Sequence, residues 1–424
     1  MKWVLPVVFL SHLLAERAFS QVPNPNLSSY PQIILDIMNL TPRWKESNTA
    51  TAECLASLHQ PQLNPALCHI DKKLGAINSI RSKLFFDFDA EGLFGFRSID
   101  FQQTPNLKVR GLIGIHGKTL DRPTRPLVIF RMGIHGNRDE FMAERFLIKI
   151  LYQELGYHVL MLESLTSHGF IMANQKVSFG GLEEGLQTFY VLNQIYQKEF
   201  AWTDQVSEIH LMALSMGGEG AFLTTYLDEQ TIHQIKSVQV FCPLINLQKT
   251  FERYSQPGLI NAFGDFWNSL RLKALTDRWP ELKQLSMWKM IFDWTPRFSN
   301  RVIELIDQET TGPLLSLDNL EKKFPYLKIP EEFKRHLALS HNFYQRNNFW
   351  PVFKNEKTPI EVVVTRKDII AISELNSDLI RNHQQPGLFT KISFVDLEGF
   401  HCGLAEEYQW PFLVELVKRG LETN

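Results

Sequence analysis

The sequence predicts an α/β protein whose core is a doubly wound, mostly parallel β-sheet. Short apolar segments alternate with helical segments over residues 85–249, and the alternation resumes over residues 356–424. Continuous apolar strands that alternate with helices are typical of a parallel sheet covered on both faces. Between these two parts, residues 250–355 have helical spacing and no clear buried strand. We therefore expect one sheet, interrupted by a helical cap insertion.

The strands and helices of the core are predicted from runs of apolar residues and from their spacing. Strands are expected at residues 85–99, 108–115, 127–130, 157–162, 209–214, 235–241, 360–364 and 392–395. Helices are expected at residues 140–155, 181–196, 217–227, 373–381 and 405–419. The insertion has more aromatic residues than a surface loop needs: Trp267, Trp279, Trp288, Trp294, Phe298 and Trp350.

The N-terminal region is expected to lie outside this core. Lys2 precedes a short apolar run, and Ala18-Phe19-Ser20 supplies small residues for cleavage, so residues 1–20 predict a signal peptide rather than a buried helix. Residues 21–84 predict a helical extension, with apolar positions at helical spacing over 30–40 and 70–84. No segment has the ~18 uninterrupted apolar residues of a membrane helix. We expect a secreted or periplasmic protein with no integral membrane segment in the mature chain.

Composition narrows the class of protein further. The 424 residues carry 44 Lys and Arg against 46 Asp and Glu, a net charge of −2, and 44% of them are hydrophobic. This length predicts one large domain with additions or two domains. The balanced charge gives no basic surface for nucleic acid. Because neither Cys-x-x-Cys nor His-Glu-x-x-His spacing occurs, we expect no metal site and no cofactor.

Ser215 lies where a predicted strand meets a predicted helix. Residues 209–221 read IHLMALSMGGEGA, so that small residues follow the serine. This junction resembles the nucleophile elbow G-x-S-x-G of the α/β-hydrolase superfamily, with Ala213 in place of the first glycine. The resemblance implies that Ser215 is the nucleophile and that the amide of Met216 receives the substrate oxyanion. A structural alternative is that Ser215 only caps the helix.

The resemblance also implies an acid and a histidine, in that order, after the serine. His401, in the segment LEGFHCG, lies between the last predicted strand and the last predicted helix, where the family has its histidine. Asp368 follows the penultimate strand, which is the family's position for the acid. Asp396 is the alternative acid, but a short loop would have to bring it to the ring nitrogen facing away from Ser215.

The loop after the strand 127–130 reads GIHGN over residues 133–137. It resembles the His-Gly loops of esterases and lipases, although the fuller triple-glycine version is absent. The resemblance implies an amide near Asn137 as the second oxyanion donor, with His135 and Gly136 shaping the loop. His135 as the base in place of His401 is the less favoured alternative. The resemblance covers residues 85–247 and 358–424, and it covers the insertion only by position.

These residues predict an exported serine hydrolase that cleaves a small-molecule or lipid-like carboxylic ester through an acyl-enzyme. A serine peptidase or amidase would use the same residues. The alternative outside enzymology is a binding protein on a hydrolase scaffold, which would require that the triad be lost. Esters are favoured because their leaving groups depart readily and because the family is rich in esterases.

The sequence has four cysteines: Cys54, Cys68, Cys242 and Cys402. Four cysteines can form two disulfides in three different ways. Cys54 and Cys68 lie close together in the N-terminal region, so in an exported protein we expect a disulfide between them. Four buried thiols are the alternative.

Overall fold

The computed structural model describes residues 52–58, 65–69, 96–117, 124–138, 145–176, 178–256, 258, 297–310, 312–382, 391–399, 401–402, 404 and 407–422, with separate positions between 261 and 284. The predicted signal peptide and the predicted helical segments 30–40 and 70–84 lie outside these residues. So do Trp267, Trp288 and Trp294 of the insertion.

The core is one eight-stranded sheet in the order β1-β2-β4-β3-β5-β6-β7-β8. Its strands are β1 Phe96–Thr104, β2 Leu107–Gly114, β3 Arg125–Arg131, β4 His158–Leu162, β5 Val206–Leu214, β6 Ile235–Phe241, β7 Ile360–Thr365 and β8 Ile392–Leu397. Strand β2 is antiparallel to both of its neighbours. All the other neighbouring strands are parallel. The mostly parallel sheet predicted from the sequence is confirmed.

Twelve α-helices are described, one before the first strand and the others between or after the strands. They are α1 Ala52–Leu58, α2 Arg145–Ile148, α3 His168–Asn174, α4 Gly181–Tyr196, α5 Met216–Glu229, α6 Leu247–Tyr254, α7 Phe298–Glu309, α8 Leu317–Lys323, α9 Glu331–Ala338, α10 Phe343–Asn347, α11 Ser377–Asn382 and α12 Trp410–Leu421. A π-helical segment, Lys149–Glu154, continues α2. Short 3₁₀ turns lie at Pro65–Cys68, Thr203–Gln205, Pro280–Gln284 and Ser373–Leu375. Within the described residues, no helix combines the length and the apolar character needed to cross a lipid bilayer.

Some boundaries differ from those predicted. The last helix was expected from residue 405 but begins at Trp410. Pro411 lies at the start of this helix, where its fixed φ and missing N–H are tolerated. The helix expected at 373–381 is divided into a 3₁₀ turn and α11. The strand expected from residue 85 is described only from Phe96.

Strand β3 is buried on both faces of the sheet, which explains its apolar run. Along β3, Val128 and Phe130 belong to one hydrophobic cluster, and Leu127 and Ile129 belong to the cluster on the other face. All four side chains are at most 1% exposed. Successive side chains of a strand point to opposite faces, so apolar residues at consecutive positions are expected where both faces are covered.

The described part of the insertion contains helices and no strand, and its two halves pack differently. The second half lies against helices α4 and α5, because Phe333 and Phe353 share a cluster with Phe222 of α5. Trp350 also packs on Phe222, at 5.2 Å between ring centroids, and donates from its ring N–H to the carbonyl of Ile245. This half therefore forms a layer on the sheet's helices. The first half, from α6 to α7, reaches the loops at the C-terminal ends of the strands.

The described N-terminal residues are attached to the segment before α12. The Cys54–Cys68 disulfide predicted from the sequence is confirmed, with 4.9 Å between the Cα atoms. The amide of Gln409 donates to the carbonyl of Cys68 at 3.0 Å. The rings of His69 and Tyr408 are in contact at 4.4 Å between centroids. Residues early in the chain thus support the region that follows the last strand.

Candidate active site

Ser215 occupies a strained turn between β5 and α5. Its φ of 54° and ψ of −119° lie in a region that residues other than glycine rarely adopt. The amide of Ser215 donates to Phe241 at the end of β6, and its carbonyl accepts from the amides of Gly218 and Leu244. These backbone bonds hold the turn from both sides, so the strained conformation is fixed by its surroundings.

The glycines after the serine are required by close approaches. A Cβ atom at Gly217 would lie 2.6 Å from the carbonyl oxygen of Met132. One at Gly218 would lie 2.7 Å from side-chain atoms of Pro243 and Val240. At Ala213, where the family pattern has glycine, a methyl group is accommodated and fully buried.

The hydroxyl of Ser215 is oriented towards a histidine. Ser215 is 2% exposed, and its Oγ lies 2.8 Å from Nε2 of His401. Although Ser215 stands at the N-cap position of α5, its side chain makes no capping hydrogen bond. This orientation does not fit the structural alternative, in which Ser215 only caps the helix.

Asp368 holds the other side of the His401 ring. Its Oδ2 lies 2.7 Å from Nδ1 of His401 and also accepts from the hydroxyl of Thr365. Its Oδ1 accepts from the amides of Ile370 and Ala371, at 2.7 and 2.8 Å. A carboxylate at Nδ1 favours the tautomer with the proton there, so that Nε2 is the acceptor for the hydroxyl of Ser215.

The loops that carry Asp368 and His401 are bonded to each other beyond their strands. The amide of Arg366 donates to Leu397, and the amide of Lys367 donates to Gly399. From the insertion, the hydroxyl of Tyr254 donates to the carbonyl of Ile369 at 2.7 Å. Burial and, to a smaller extent, the negative charge of Asp368 raise the pKa of Tyr254. Tyr254 therefore stays a neutral donor beside the acid.

Asp396, the alternative acid, takes part in a different interaction. Its carboxylate accepts from Arg366 and Arg381, each at 2.8 Å, and its side chain is 43% exposed. Burial would raise its pKa, but hydrogen bonds from the two guanidinium groups outweigh this effect and lower it. The structure thus brings Asp368, and not Asp396, to the ring of His401.

The GIHGN loop lies directly beside Ser215. A Cβ atom at Gly133 would be 3.2 Å from Cβ of Ser215. His135 has a φ of 63°, its amide donates to Oγ1 of Thr166, and the amide of Gly136 donates within the loop to Gly133. The first of these hydrogen bonds holds the loop to Thr166, and the second closes the loop on itself. Asn137, predicted from the resemblance as the donor to the oxyanion, lies in the same loop and is 5% exposed.

A buried ionic network is connected to the GIHGN loop through Ser164 and Thr166. Arg131, at the end of β3, is fully buried and pairs with Glu184 at 3.3 Å. Glu184 accepts from Ser164, whose hydroxyl lies 2.9 Å from that of Thr166. Glu219 is buried close by, and its pKa is raised by burial and by the charge of Glu184. Burial and the nearby carboxylate thus favour the neutral form of Glu219, whereas the guanidinium of Arg131 favours the charged form of Glu184.

His135 also connects the loop to the insertion. Its Nε2 lies 3.0 Å from Oδ1 of Asn268. Asn268 donates to Oγ of Ser299, whose hydroxyl donates to Asp265 at 2.6 Å. Because its ring is engaged with Asn268, His135 is not oriented as a base for Ser215.

Several residues around the site were not found from the sequence. Thr365, Asn268 and the Arg131–Glu184 pair have no motif that separates them from ordinary polar residues. A further disulfide joins Cys242 to Cys402, with 5.8 Å between the Cα atoms. One signal for it was present, since Cys402 follows His401 directly and two cysteines remain once Cys54 and Cys68 are paired.

Within the described residues, one group of His and Cys side chains has the spacing of a metal site, namely Cys242, His401 and Cys402. Its two sulfurs form the disulfide, so neither has a lone thiolate to offer to a metal ion.

The sheet order and the strained serine turn define the α/β-hydrolase fold. No protein-family model matches the chain, and no curated protein matches it. Solved structures that match include a protein from Legionella pneumophila described as a hydrolase, with TM-score 0.48, 11% identity, and coverage of 78% of this chain and 89% of that one. An esterase from Pyrococcus furiosus has TM-score 0.42, 13% identity, and coverage of 80% and 97%. An acylaminoacyl peptidase from Pyrococcus horikoshii has TM-score 0.40, 12% identity, and coverage of 78% and 42%. The function proposed below therefore rests on this chain's own residues.

Proposed function

We propose that the protein is a serine hydrolase that cleaves carboxylic esters through an acyl-enzyme on Ser215. The observation that carries this proposal is the position of His401. Its ring lies 2.8 Å from Oγ of Ser215 and 2.7 Å from the carboxylate of Asp368. A serine hydroxyl is a weak nucleophile at neutral pH, and an oriented base is what makes it reactive.

The reaction follows from this geometry. Nε2 of His401 takes the proton of Ser215 as Oγ attacks the carbonyl carbon, and Asp368 stabilises the imidazolium that forms. The amides of Met216, at the N-terminus of α5, and of Asn137 receive the oxyanion. His401 then protonates the leaving alcohol. Water, deprotonated by the same nitrogen, attacks the acyl-enzyme; the acyl–Oγ bond breaks, the acid leaves, and His401 returns the proton to Oγ of Ser215.

The substrate that we propose is a small-molecule or lipid-like ester with an apolar part. Ile369 and Ile370 directly follow Asp368 and are 47% and 37% exposed. Exposed isoleucines next to a reacting centre favour apolar groups. A serine peptidase or amidase on the same residues is the second candidate. Parallel assays on p-nitrophenyl esters and the matching p-nitroanilides would separate the two candidates.

The first prediction concerns Ser215. A fluorophosphonate should label the wild-type protein, and the modified peptide should contain Ser215. Ser215→Ala should abolish both labelling and ester hydrolysis, with unchanged circular dichroism. Labelling that persists in this variant would contradict the assignment, and wild-type protein that is never labelled would favour a binding protein on a hydrolase scaffold.

We also propose that the protein is exported. The support is the pattern of Lys2, the apolar run 3–14 and the small residues before position 21. Two disulfides in the described part of the chain fit an oxidising compartment. When the full-length chain is expressed in a secreting host, the mature protein should begin at Gln21. Recovery of the uncleaved chain from the cytoplasmic fraction alone would contradict this prediction.

A further inference from the structure

The histidine loop is connected covalently to the strand next to the nucleophile. The disulfide joins Cys402, the residue after His401, to Cys242, the residue after β6, across 160 positions of sequence. Both cysteines are buried, at 1% and 3% exposure. Their sulfurs and a ring nitrogen of His401 all lie within 4.8 Å of one another. The bridge therefore lies against the group that is proposed to transfer the proton.

Both ends of this bridge have left-handed backbone conformations. Cys242 has a φ of 40° and Cys402 a φ of 54°. Residues other than glycine adopt this region only where the surrounding structure holds them. Together with Ser215 and His135, they account for four of the seven described residues other than glycine with positive φ. The backbone around the site is thus held in conformations that a free loop would leave.

The Cys242 end of the bridge is fixed to the nucleophile. The amide of Cys242 donates to Val363 of β7 at 2.8 Å. The preceding residue, Phe241, accepts from the amide of Ser215, and Leu244 donates to the carbonyl of Ser215. The short segment that carries Cys242 is therefore hydrogen-bonded to both sides of Ser215. A bond from this segment to Cys402 fixes the distance between the serine turn and the histidine loop.

We propose that Cys242 and Cys402 are positioning residues, and that their disulfide holds His401 at Ser215, so that hydrolysis requires the oxidised bridge. This inference rests on the function proposed above. Its physical basis is that a displacement of a catalytic group by about 1 Å can cost about 100-fold in rate. When the bridge is open, Cys402 is free to leave its left-handed conformation, and the His401 ring moves with it.

The alternative is that the bridge only stabilises the fold. The chain offers a matched control, because Cys54 and Cys68 form a second buried bridge, and Cys68 accepts a hydrogen bond from Gln409, eight residues after His401. Opening either bridge should lower the free energy of unfolding. Only the Cys242–Cys402 bridge should affect turnover in molecules that remain folded.

The test compares the double variants C242A/C402A and C54A/C68A with the wild type, at a temperature well below all three melting points. We expect kcat on a p-nitrophenyl ester to fall 10- to 100-fold in C242A/C402A, with KM within about threefold of the wild-type value. Fluorophosphonate labelling of Ser215 should slow by the same factor as kcat. In C54A/C68A, both kcat and KM should stay within about twofold of the wild-type values.

Reduction of the wild-type protein provides a second measurement that does not depend on the folding of a variant. Dithiothreitol gives two electrons and two protons to a bridge, which becomes two thiols while the reagent closes to its cyclic disulfide. Alkylation and peptide mass spectrometry then count each open bridge. Activity should fall in proportion to open Cys242–Cys402 and return on reoxidation, while near-UV circular dichroism stays native.

The outcomes are distinct. A wild-type rate in folded C242A/C402A, or in protein whose Cys242–Cys402 bridge is open, would overturn the inference and leave the proposed function intact. Equal losses of kcat in the two double variants would also overturn it. If the wild-type protein is itself neither labelled nor active, the proposed function fails first.

Discussion

At the scale of single residues, the most informative contact is that between Asp368 and the ring of His401. The carboxylate oxygens of Asp368 accept hydrogen bonds from Thr365, Ile370, Ala371 and His401. In Asp368→Asn, the amide group would have to place its N–H₂ against one of these donors, and the histidine would lose its orienting acceptor. We expect kcat to fall by about 10⁴-fold, as in the serine proteases in which this loss has been measured.

Asp396→Asn is the matched control for this substitution. Asp396 lies in an exposed pair with Arg366 and Arg381, and exposed ion pairs contribute about 0–1 kcal/mol to stability. Its kcat should stay within about twofold of the wild-type value. Steady-state kinetics on one ester decide between the two aspartates. If Asp396→Asn is the more damaging variant, the assignment of the acid is wrong.

At the scale of structural elements, the insertion and the GIHGN loop are joined through Asn268. The ring of His135 contacts Asn268, which is hydrogen-bonded to Ser299 at the start of α7. Removal of this side chain should loosen the loop that is proposed to bind the oxyanion, while leaving the Ser215–His401 pair in place. We expect Asn268→Ala to lower kcat about tenfold, with a smaller effect on KM.

Asn261→Ala is a control from the same part of the insertion. Asn261 donates to the carbonyls of Arg253 and Gln256, so these two hydrogen bonds stay within the insertion. Its effect on kcat should be less than about twofold. Equal losses in the two variants would show that the insertion acts on activity through its general stability and not through His135.

Much of the fold could be predicted at this scale, because its signals are local. Strand β6 and helix α4 have the predicted bounds, since an uninterrupted apolar run and an uninterrupted helical period each identify one element. The order of Ser215, Asp368 and His401 was implied by the resemblance to the α/β-hydrolase superfamily. Their proximity fits the sheet, because each follows a strand and the C-terminal ends of parallel strands lie at one edge.

The features that were not predicted depend on contacts between segments far apart in sequence, and such contacts produce no periodic pattern in the sequence. His135 and Asn268 are 133 residues apart, and no pattern in either segment indicates the other. Cys242 remains as a partner for Cys402 once Cys54 and Cys68 are paired, but nothing in the sequence places Cys242 beside the turn of Ser215. The insertion has one part that packs on α4 and α5 and another that contacts the site. The sequence does not separate these two parts, because both have the same helical spacing and the difference lies in tertiary packing.

The stability of the whole molecule should depend on pH through Glu183. This side chain is 5% exposed and accepts from the amide of Leu314, which joins α4 to the insertion. Burial raises its pKa to about 7, although the hydrogen bond from Leu314 opposes the shift. A carboxyl with a raised pKa in the folded state stabilises the fold below its unfolded pKa of 4.5, and this stabilisation is lost as the pH rises through about 7.

Glu183→Gln should remove this dependence on pH, because an amide side chain does not titrate. The amide oxygen can still accept the hydrogen bond from Leu314. Relative to this variant, the wild type should lose up to about 3 kcal/mol in free energy of unfolding between about pH 4 and about pH 8. Urea unfolding at several pH values measures the difference. Glu331→Gln, at the exposed start of α9, is the control and should leave the wild-type profile unchanged. Parallel profiles for the wild type and Glu183→Gln would contradict the prediction.

The hydrogen bond between Ser215 and His401 spans 186 residues, and the bond from Gln409 to Cys68 spans still more of the chain. A ribosome makes the chain from its N-terminus, so the serine turn and most of the sheet emerge well before the histidine does. Until then the nucleophile that we propose has not yet met the base that we propose. Cys68 likewise meets Gln409 only after a further 341 residues have been made. The proposed hydrolytic activity therefore requires that synthesis has passed His401 and that the loop carrying it has folded against the serine turn.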